Sequence, residues 1–293
     1  MSARIAVPIA LSIAGSDSGG GAGVQADLKT FAALCVHGTS VITCVTAQNP
    51  CNVIGVQPVT PQIVLQQLEA VFAELPPVAV KTGMLFSADI VRVVADFFER
   101  QRKRPALIVD PVMIATSGAT LVKPSAIRAL KKRLLPLATL VTPNLYEAEI
   151  LSGIKINSQE EMCTAAERIH AEFGCAVLVK GGHLADPVSV VNCFLDRANR
   201  QLIYGRRIRG IGTHGTGCVL SAAIAAYLAR GEKLSTAVNA ANSFVANSIA
   251  HSFFVGRSSR HAVLNPLWYW TRRLPSQRKS PRAIRQCSDT PAK

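Results

Sequence analysis

Short apolar runs alternate with amphipathic stretches along most of this chain. The apolar runs mostly end at Gly, Pro or polar positions, which is typical of buried strands, and the stretches between them have helical periodicity. Strands are predicted at 5–13, 40–46, 78–81, 106–109, 139–141 and 176–179, and helices at 24–34, 61–74, 88–102, 124–134 and 159–173. This alternation predicts an α/β fold with a mostly parallel central sheet and helices on both of its faces.

The pattern changes after residue 180. Runs at 189–195 and 201–207, separated by the five residues 196–200, predict a hairpin near the sheet edge, and helical patterns follow at 216–229 and 235–253. No internal repeat or linker precedes residue 256. We therefore expect one folded domain over 1–255 and a C-terminal extension over 256–293, disordered from about Leu274, where Ser, Pro, Arg, Lys and Gln mix without periodicity.

Composition and charge exclude several classes of protein. Of the 293 residues, 49% are apolar and only 17% are charged, which excludes a disordered chain. The net charge is +14, but the extension alone has nine basic residues and one acidic residue, so residues 1–255 carry only +6. The high charge is therefore partly a property of the extension and is weak evidence for a nucleic-acid-binding body.

Cysteine usage and hydropathy bear on the compartment. The eight cysteines include no CxxC pair and no Cys/His cluster with zinc spacing, and most lie in apolar runs, which indicates a reducing environment. Residues 30–68 carry no Lys, Arg, Asp or Glu, but several prolines and amides interrupt them, so they do not predict a membrane-spanning helix. The apolar start resembles a short signal peptide, but a buried first strand fits better because a dense glycine motif follows.

Candidate chemistry follows the ends of the predicted strands, where open parallel sheets bind ligands. After the first strand, Gly15–Gly23 has five glycines in nine residues, whose N–H groups are free to face a ligand; a flexible turn is the alternative, and no P-loop lysine follows. After the second, the flat amide of Gln48 offers donors and acceptors that suit the edge of a heterocycle, although a lone loop glutamine is usually solvated.

The later strand ends carry charged residues. Asp110 could hold a metal or an attacking group, or could cap a helix. Asn144 could cap the next helix, with Glu147 in its first turn either completing the cap or organising Mg²⁺ near phosphates. Lys180 ends a buried strand, where a lysine needs a partner charge such as a phosphate.

The motif Gly-Thr-His-Gly-Thr-Gly-Cys at 212–218 opens an apolar helix. Its amides and the positive end of the helix could hold the charge of a transferring phosphoryl group. Cys218 lies in the first turn, where we expect the pKa of its thiol to fall; it is either a reactive group or a small packing residue.

Together these motifs resemble the hydroxymethylpyrimidine/phosphomethylpyrimidine kinases of thiamine biosynthesis, in the ribokinase-like superfamily. The matching segments are 13–27, 46–49, 81–84, 110–113, 142–144, 180–183 and 213–218, in family order. The resemblance implies a three-layer α/β/α sandwich. It implies an ATP- and Mg²⁺-dependent kinase that phosphorylates 4-amino-5-hydroxymethyl-2-methylpyrimidine and then its monophosphate to the pyrophosphate. It also implies a cytoplasmic homodimer that binds these small molecules, with no membrane or nucleic-acid partner.

The resemblance also implies roles for individual residues. Cys218 would activate the hydroxymethyl oxygen, and amides of Gly215, Thr216, Gly217 and Cys218 would form the anion hole. The substrate-binding residues would be Gln48, Gly15, Asp27 and Met84. The ATP-binding residues would be Lys180, Asn144 and Thr213, and Asp110 and Glu147 would support Mg²⁺.

Three features depart from the family pattern: Gly212 where family members often have Asn, the stretch 50–52 in the substrate-side loop, and the basic extension. Two alternatives remain open. A related kinase could act on pyridoxal or pyridoxine, which are also nitrogen heterocycles with a hydroxymethyl group. A basic nucleic-acid-binding protein on a kinase fold is the other, although the body lacks interleaved aromatic and basic residues.

Overall fold

The computed structural model describes residues 6–113, 123–182, 184, 188–197, 199–208, 214–257 and 261–271. Its main strands are β1 (Ile9–Asp17), β2 (His37–Gln48), β3 (Val53–Pro58), β4 (Ala79–Thr82), β5 (Ala106–Val109), β6 (Leu140–Val141), β7 (Ala176–Lys180), β8 (Ser189–Leu195) and β9 (Arg200–Arg206). Within the described residues they form one sheet in the order β3-β2-β1-β4-β5-β6-β7-β8-β9. The strands from β2 to β7 in this order run parallel, and β3, β8 and β9 are antiparallel to their neighbours.

The helices lie between the strands, mostly where the periodicity predicts them. They are α1 (Gly23–Ala33), α2 (Pro61–Glu74), α3 (Ala88–Glu99), α4 (Pro124–Ala129), α5 (Leu145–Ser152), α6 (Gln159–Phe173), α7 (Thr216–Ala229), α8 (Leu234–Ala250) and α9 (Trp268–Thr271). The helix predicted over 124–134 is not continuous, because α4 gives way to a π turn (Leu130–Leu134) and a 3₁₀ turn (Leu135–Leu137). A small hairpin, β10 (Phe253–Val255) and β11 (His261–Val263), follows α8.

Two apolar cores cover the two faces of the sheet. Leu107 and Val109 of β5 point into one core, and Ile108 between them points into the other, as the alternation along a strand requires. The first core includes side chains of α3, α5 and α6, and the second includes side chains of α1, α7 and α8. The predicted α/β fold, with a mostly parallel sheet between two helical layers, is confirmed.

Strand β3 was not predicted. It is an antiparallel edge strand whose side chains are mostly exposed, with Ile54 78% accessible, so it lacks the alternation that marks a half-buried strand. Its Gly55 and Pro58 are also residues that strands usually lack.

The C-terminal extension begins within ordered structure. The boundary expected after residue 255 falls inside the β10–β11 hairpin, and beyond it Leu264 and Asn265 are buried. The Asn265 N–H donates to the carbonyl of Ser248 in α8, which attaches this segment to the body. The disorder predicted from about Leu274 lies outside the described residues. Within the part of the chain described, no helix is both long and apolar enough to cross a bilayer.

The strand order places a site at one end of the sheet. The chain runs from β1 outward to β2 on one side, and returns to add β4 on the other side of β1. Such a reversal opens a crevice at the carboxyl ends of the strands. The polar residues singled out in the sequence lie at these strand ends.

Candidate active site

A cavity of about 620 Å³ opens at the carboxyl ends of β1, β2, β4, β5, β6 and β7. This volume is in the range of small-molecule sites. The predicted site residues that line it are Gly15, Gln48, Met84, Asp110, Asn144, Glu147, Lys180, Gly215, Thr216, Gly217 and Cys218. Asp27 does not line it, and Thr213 and Gly212 lie outside the described residues. The fold thus brings together residues that are far apart in sequence.

The glycine loop after β1 is held by Asp17. The Asp17 carboxylate accepts hydrogen bonds from the N–H groups of Gly19 (2.8 Å), Gly21 (3.0 Å) and Ala22 (2.8 Å). Burial alone would raise the pKa of Asp17, but hydrogen bonds from His214 and from the amides of Ala22 and Gly19 bring it below its usual range. The expectation that the loop amides are free to face a ligand is therefore wrong for these three. They fix the shape of the loop instead.

The loop packs directly against the start of α7. Gly215 has a φ of +85°, and a Cβ there would lie 2.0 Å from the carbonyl oxygen of Gly21. A side chain at this position would therefore force the glycine loop and the helix start apart. The imidazole of His214 lies 3.7 Å from the Asp17 carboxylate, which is a second link between the same two segments.

Gln48 ends β2 and contacts the glycine loop. Its backbone N–H donates to the Ser18 hydroxyl, and that hydroxyl donates to the Gln48 carbonyl, both at 2.8 Å. Among the described residues its side-chain amide has no hydrogen-bond partner, so both ends of the amide are available at the cavity wall. At Gly15, a Cβ would lie 2.9 Å from Met84 Cε and 2.8 Å from Cys44 Sγ. The absence of a side chain at Gly15 therefore makes room for Met84.

Asp27 lies beneath the cavity in an ion pair with Lys81. Both side chains are fully buried, and the Ser12 hydroxyl also donates to Asp27 at 2.5 Å. Burial lowers the pKa of Lys81, but Asp27, together with Cys218 and Asp110, more than offsets this, so the pKa lies above its usual range. Lys81 itself lines the cavity. Asp27 was predicted to line the pocket, but it does not. It acts on the cavity through Lys81 instead.

At the other end, Asp110 pairs with Lys180. The Lys180 Nζ lies 2.9 Å from Asp110 Oδ1, and the buried Ser221 hydroxyl donates to Oδ2 at 3.2 Å. Burial would raise the pKa of Asp110, but Lys180 and Lys81 lower it overall, so the group stays ionised. The partner charge that the sequence required for Lys180 is therefore supplied within the chain by Asp110.

Asn144 and Glu147 form a reciprocal cap at the start of α5. The Asn144 side chain accepts from the Glu147 N–H, and Glu147 Oε2 accepts from the Asn144 N–H, both at 2.9 Å. The capping that the sequence predicted for Asn144 is confirmed. Glu147 Oε1 also accepts from the Met113 N–H, and burial raises the pKa of this carboxyl despite the charge of Lys180.

The acidic pair fits a hydrated magnesium ion. No cluster of three or more His, Cys, Asp or Glu side chains within the described residues could hold a metal by itself. Mg²⁺ usually keeps several waters and binds one or two carboxylates together with substrate phosphates. Asp110 and Glu147 both line the cavity and supply oxygen donors of that kind.

Cys218 lies in the first turn of α7 and faces the cavity. Burial raises the pKa of its thiol, while Lys81 and a hydrogen bond from the backbone of Gly23 act in the opposite direction. The predicted fall in this pKa is therefore wrong, because desolvation outweighs the helix terminus. A Cβ on neighbouring Gly217 would lie 3.2 Å from Lys180 Nζ, which shows how closely the helix start approaches the Asp110–Lys180 pair.

Sequence reasoning missed Asp17, Lys81 and Ser221 as parts of the site. Lys81 is a charge inside an apolar run, and Ser221 is a hydroxyl inside an apolar helix, so each carried a recognisable signal: a polar group that needs a buried partner. Asp17 lies within the glycine motif, but nothing in the sequence indicated that its carboxylate accepts hydrogen bonds from the loop amides.

Comparisons with known proteins identify the family. A family profile described as phosphomethylpyrimidine kinase matches residues 17–263. The hydroxymethylpyrimidine/phosphomethylpyrimidine kinase of Synechococcus elongatus is 46% identical over 258 residues, which cover 86% of this chain and 95% of that protein. The phosphomethylpyrimidine kinase from Clostridium difficile 630 superimposes with a TM-score of 0.74 at 41% identity, covering 83% of this chain and 99% of the other.

A second kind of kinase shares the fold. The pyridoxal kinase from Staphylococcus aureus, in complex with AMP-PCP and pyridoxal, superimposes with a TM-score of 0.81 at 34% identity, covering 90% of this chain and 95% of the other. The sheet order, the cavity at the strand ends and the profile over most of the sequence lead to one assignment. The chain belongs to the phosphomethylpyrimidine kinase family.

Proposed function

We propose that this protein transfers a phosphoryl group from ATP to the hydroxymethyl oxygen of 4-amino-5-hydroxymethyl-2-methylpyrimidine, and then to the monophosphate, giving the pyrophosphate used in thiamine biosynthesis. One observation carries the proposal. A single cavity unites the available amide of Gln48, the start of α7 with Cys218, and the Lys180–Asp110–Glu147 cluster. Gln48 can recognise a heterocycle, Cys218 is a candidate base, and the charged cluster can bind phosphates.

Gln48 binds the pyrimidine in this proposal. An amide that both donates and accepts matches the amino group and ring nitrogen on one edge of the heterocycle. The ties between Gln48 and Ser18 hold its backbone, so only the side chain has to adjust. Met84, in the space that Gly15 leaves, supplies an apolar surface beside the ring.

Cys218 accepts the hydroxymethyl proton in this proposal. The buried thiol is mostly protonated at neutral pH, so the thiolate is the minor and active form. Lys81 favours that thiolate, and Asp27 keeps Lys81 in place. The N–H groups at Gly215–Cys218 lie at the positive end of α7, where they can hold charge that develops during transfer.

Lys180, Asn144 and Thr213 bind the nucleotide phosphates in this proposal, and Asp110 and Glu147 hold the waters of Mg²⁺. When bound, ATP and Mg²⁺ supply the phosphoryl group and the charge that offsets it. The residues of this chain contribute position and fixed charge. Lys180 is 17% exposed in its side chain, so its ammonium can reach a phosphate while it still pairs with Asp110.

Pyridoxal is the second candidate substrate, and one observation favours it. The TM-score to the Staphylococcus aureus pyridoxal kinase, 0.81, exceeds the 0.74 to the Clostridium difficile phosphomethylpyrimidine kinase. Sequence identity ranks the two in the opposite order, at 34% against 41%. Identity reports the side chains that recognise a substrate more directly than backbone similarity does, so we favour the pyrimidine.

The test is product formation by mass spectrometry with ATP, Mg²⁺ and, in parallel, hydroxymethylpyrimidine, its monophosphate and pyridoxal. We expect the pyrimidine pyrophosphate as the main product. If phosphorylated pyridoxal is the only product, pyridoxal is the substrate of this same site. No product from any of the three would contradict the kinase proposal and favour a binding protein.

From the resemblance we also propose a cytoplasmic homodimer, for which exposed apolar side chains such as Ile54 and Phe253 offer surface. Light scattering on the full chain tests the oligomeric state.

From the structure we propose that the kinase domain continues through α9 and that residues 272–293 form the basic extension, because the β10–β11 hairpin spans the boundary expected at 255. Limited proteolysis tests this boundary.

A further inference from the structure

The turn between β2 and β3 carries a cysteine that the proposed chemistry does not use. This is Cys51, in the stretch that departs from the family pattern. The turn is well defined, because the Asn49 side chain accepts from the N–H groups of Cys51 (2.9 Å) and Asn52 (3.0 Å). The Asn49 N–H donates to the Asn52 carbonyl at 3.0 Å. The Cys51 thiol is therefore presented from a rigid, partly exposed turn.

A histidine distant in sequence meets this thiol. His261 Nε2, on β11, lies 3.8 Å from Cys51 Sγ, although the two residues are 210 positions apart. His261 pairs with Val255 across the hairpin, and a Cβ on Gly256 would lie 3.1 Å from the imidazole Cδ2. The imidazole is thus held at the sulfur by the hairpin. A thiol beside an imidazole is the arrangement that promotes the thiolate in reactive cysteines.

We propose that Cys51 and His261 form a reactive thiol–imidazole pair, and that Cys51 is a site of reversible modification by low-molecular-weight disulfides of the glutathione class. The Cys51 sulfur attacks one sulfur of the small disulfide. The S–S bond of the small molecule breaks, a new S–S bond to Cys51 forms, and one thiol leaves. His261 takes the Cys51 proton, and the leaving thiolate is protonated in turn, so atoms and electrons balance without another oxidant.

The other described cysteines provide contrasts within the same molecule. Cys44, Cys163, Cys175 and Cys193 are buried, and burial raises the pKa of Cys44 to about 11 and of Cys175 to about 12. Such thiols are inert to exchange. Cys35 is exposed, and no described residue hydrogen-bonds its thiol. Cys35 is therefore an internal reference for an accessible cysteine without an imidazole.

Modification at Cys51 would reach the cavity through the backbone of the turn. Gln48, three residues earlier, pairs with Val53 across the β2–β3 junction, and both line the cavity. The same turn contacts the glycine loop, since a Cβ on Gly19 would lie 3.4 Å from Asn49 Cα. A tripeptide attached to Cys51 needs space between the turn and the hairpin. It should therefore displace Gln48, an effect that rests on the proposed pyrimidine site.

The first experiment measures modification without any assay of activity. Cys287, which lies outside the described residues, is replaced by Ser in the full chain (Cys287→Ser). This protein is treated with oxidised glutathione at pH 7. Mixed disulfides at Cys51, Cys35 and Cys218 are followed by peptide mass spectrometry. We expect Cys51 to react on the order of tenfold faster than Cys35. His261→Gln should remove this advantage and leave the Cys35 rate unchanged, and continued protection of the buried Cys44 and Cys175 shows that the variant is folded. Equal rates at Cys51 and Cys35, or no effect of His261→Gln, would overturn the proposal.

The second experiment measures the consequence for the cavity. We expect modified enzyme to show a severalfold higher KM for the pyrimidine, reversed by dithiothreitol and absent in Cys51→Ser treated in the same way. If Cys51 is modified at the expected rate and KM does not change, the link to the pocket is wrong while the reactive pair stands. A failure of the proposed kinase activity would leave the first experiment unaffected, so the two failures are distinguishable.

Discussion

The Lys81 ammonium lies 2.8 Å from Oδ2 and 3.0 Å from Oδ1 of Asp27, and neither side chain is accessible to solvent. The two residues are 54 positions apart, on β4 and α1, and they meet directly beneath the cavity. The pair therefore joins the folded core to the site. The pair should contribute to the free energy of unfolding because it is buried. It should also contribute to the reactivity of Cys218, because Lys81 favours the Cys218 thiolate.

Removal of one member of this pair should destabilise the protein strongly. Lys81→Met leaves the Asp27 carboxylate buried without its counter-ion. Asp27→Asn likewise leaves the Lys81 ammonium buried without its counter-ion. Each change should lower the free energy of unfolding by about 3–5 kcal/mol, measured by urea denaturation. The double variant removes both charges and should recover part of this loss.

The exposed pair of Asp89 and Arg92 on α3 is the control for ion pairing in general. Asp89→Ala should change the free energy of unfolding by less than about 1 kcal/mol, because solvent screens this pair. Similar losses for Asp27→Asn and Asp89→Ala would contradict the special position of the buried pair.

Cys218 should control turnover and its dependence on pH. Cys218→Ala should lower kcat by roughly 10²- to 10⁴-fold with little change in nucleotide binding, because it removes the proposed base. In the natural enzyme kcat should rise with pH above neutrality, since burial raises the pKa of the thiol and the thiolate is the active form. Cys218→Asp should shift the rise to lower pH. The exposed Cys35→Ser is the control, and wild-type turnover in Cys218→Ala would reduce Cys218 to a packing residue.

Gln48 should determine affinity for the pyrimidine. Gln48→Ala removes up to two hydrogen bonds to the heterocycle, so KM for hydroxymethylpyrimidine should rise roughly tenfold or more while KM for ATP stays near its natural value. Gln57→Ala is the matched control, because Gln57 is exposed on the neighbouring strand and does not line the cavity. Equal KM values for the two variants would exclude the proposed role of Gln48.

Gly215 and Gly231 offer a matched test of the contact between the glycine loop and the start of α7. Both have positive φ, +85° and +88°, but a Cβ meets the Gly21 carbonyl at Gly215 and nothing within 4 Å at Gly231. Gly231→Ala should cost about 1–2 kcal/mol of stability and leave activity intact. Gly215→Ala should cost more and abolish most activity, because the helix start must move. Wild-type kinetics in Gly215→Ala would show that the close contact does not matter.

Periodicity predicted much of the fold because burial dictates it. Strands β5 and β7 are buried on both faces by helices, so they are apolar runs with recognisable ends, and each end leads to a cavity residue. The cap at Asn144 was also predictable, since a side-chain amide followed three residues later by Glu147 is a local signal.

Other features depend on partners that are distant in sequence. The edge strand β3 buries too little to show alternation. The pKa of Cys218 depends on how deeply α7 is buried, which its first turn does not reveal. In the same way, the pairing of Asp27 with Lys81 and the meeting of Cys51 with His261 exist only once the chain has folded.

The internal hydrogen bonds of Asp17 also bear on the thermodynamics of ligand binding. A glycine-rich loop left open would have to become ordered around its ligand, and that loss of conformational freedom would weaken binding. Here three loop amides are already fastened to the Asp17 carboxylate before any ligand arrives. The ordering takes place during folding, so calorimetry of pyrimidine binding should show only a small unfavourable conformational entropy.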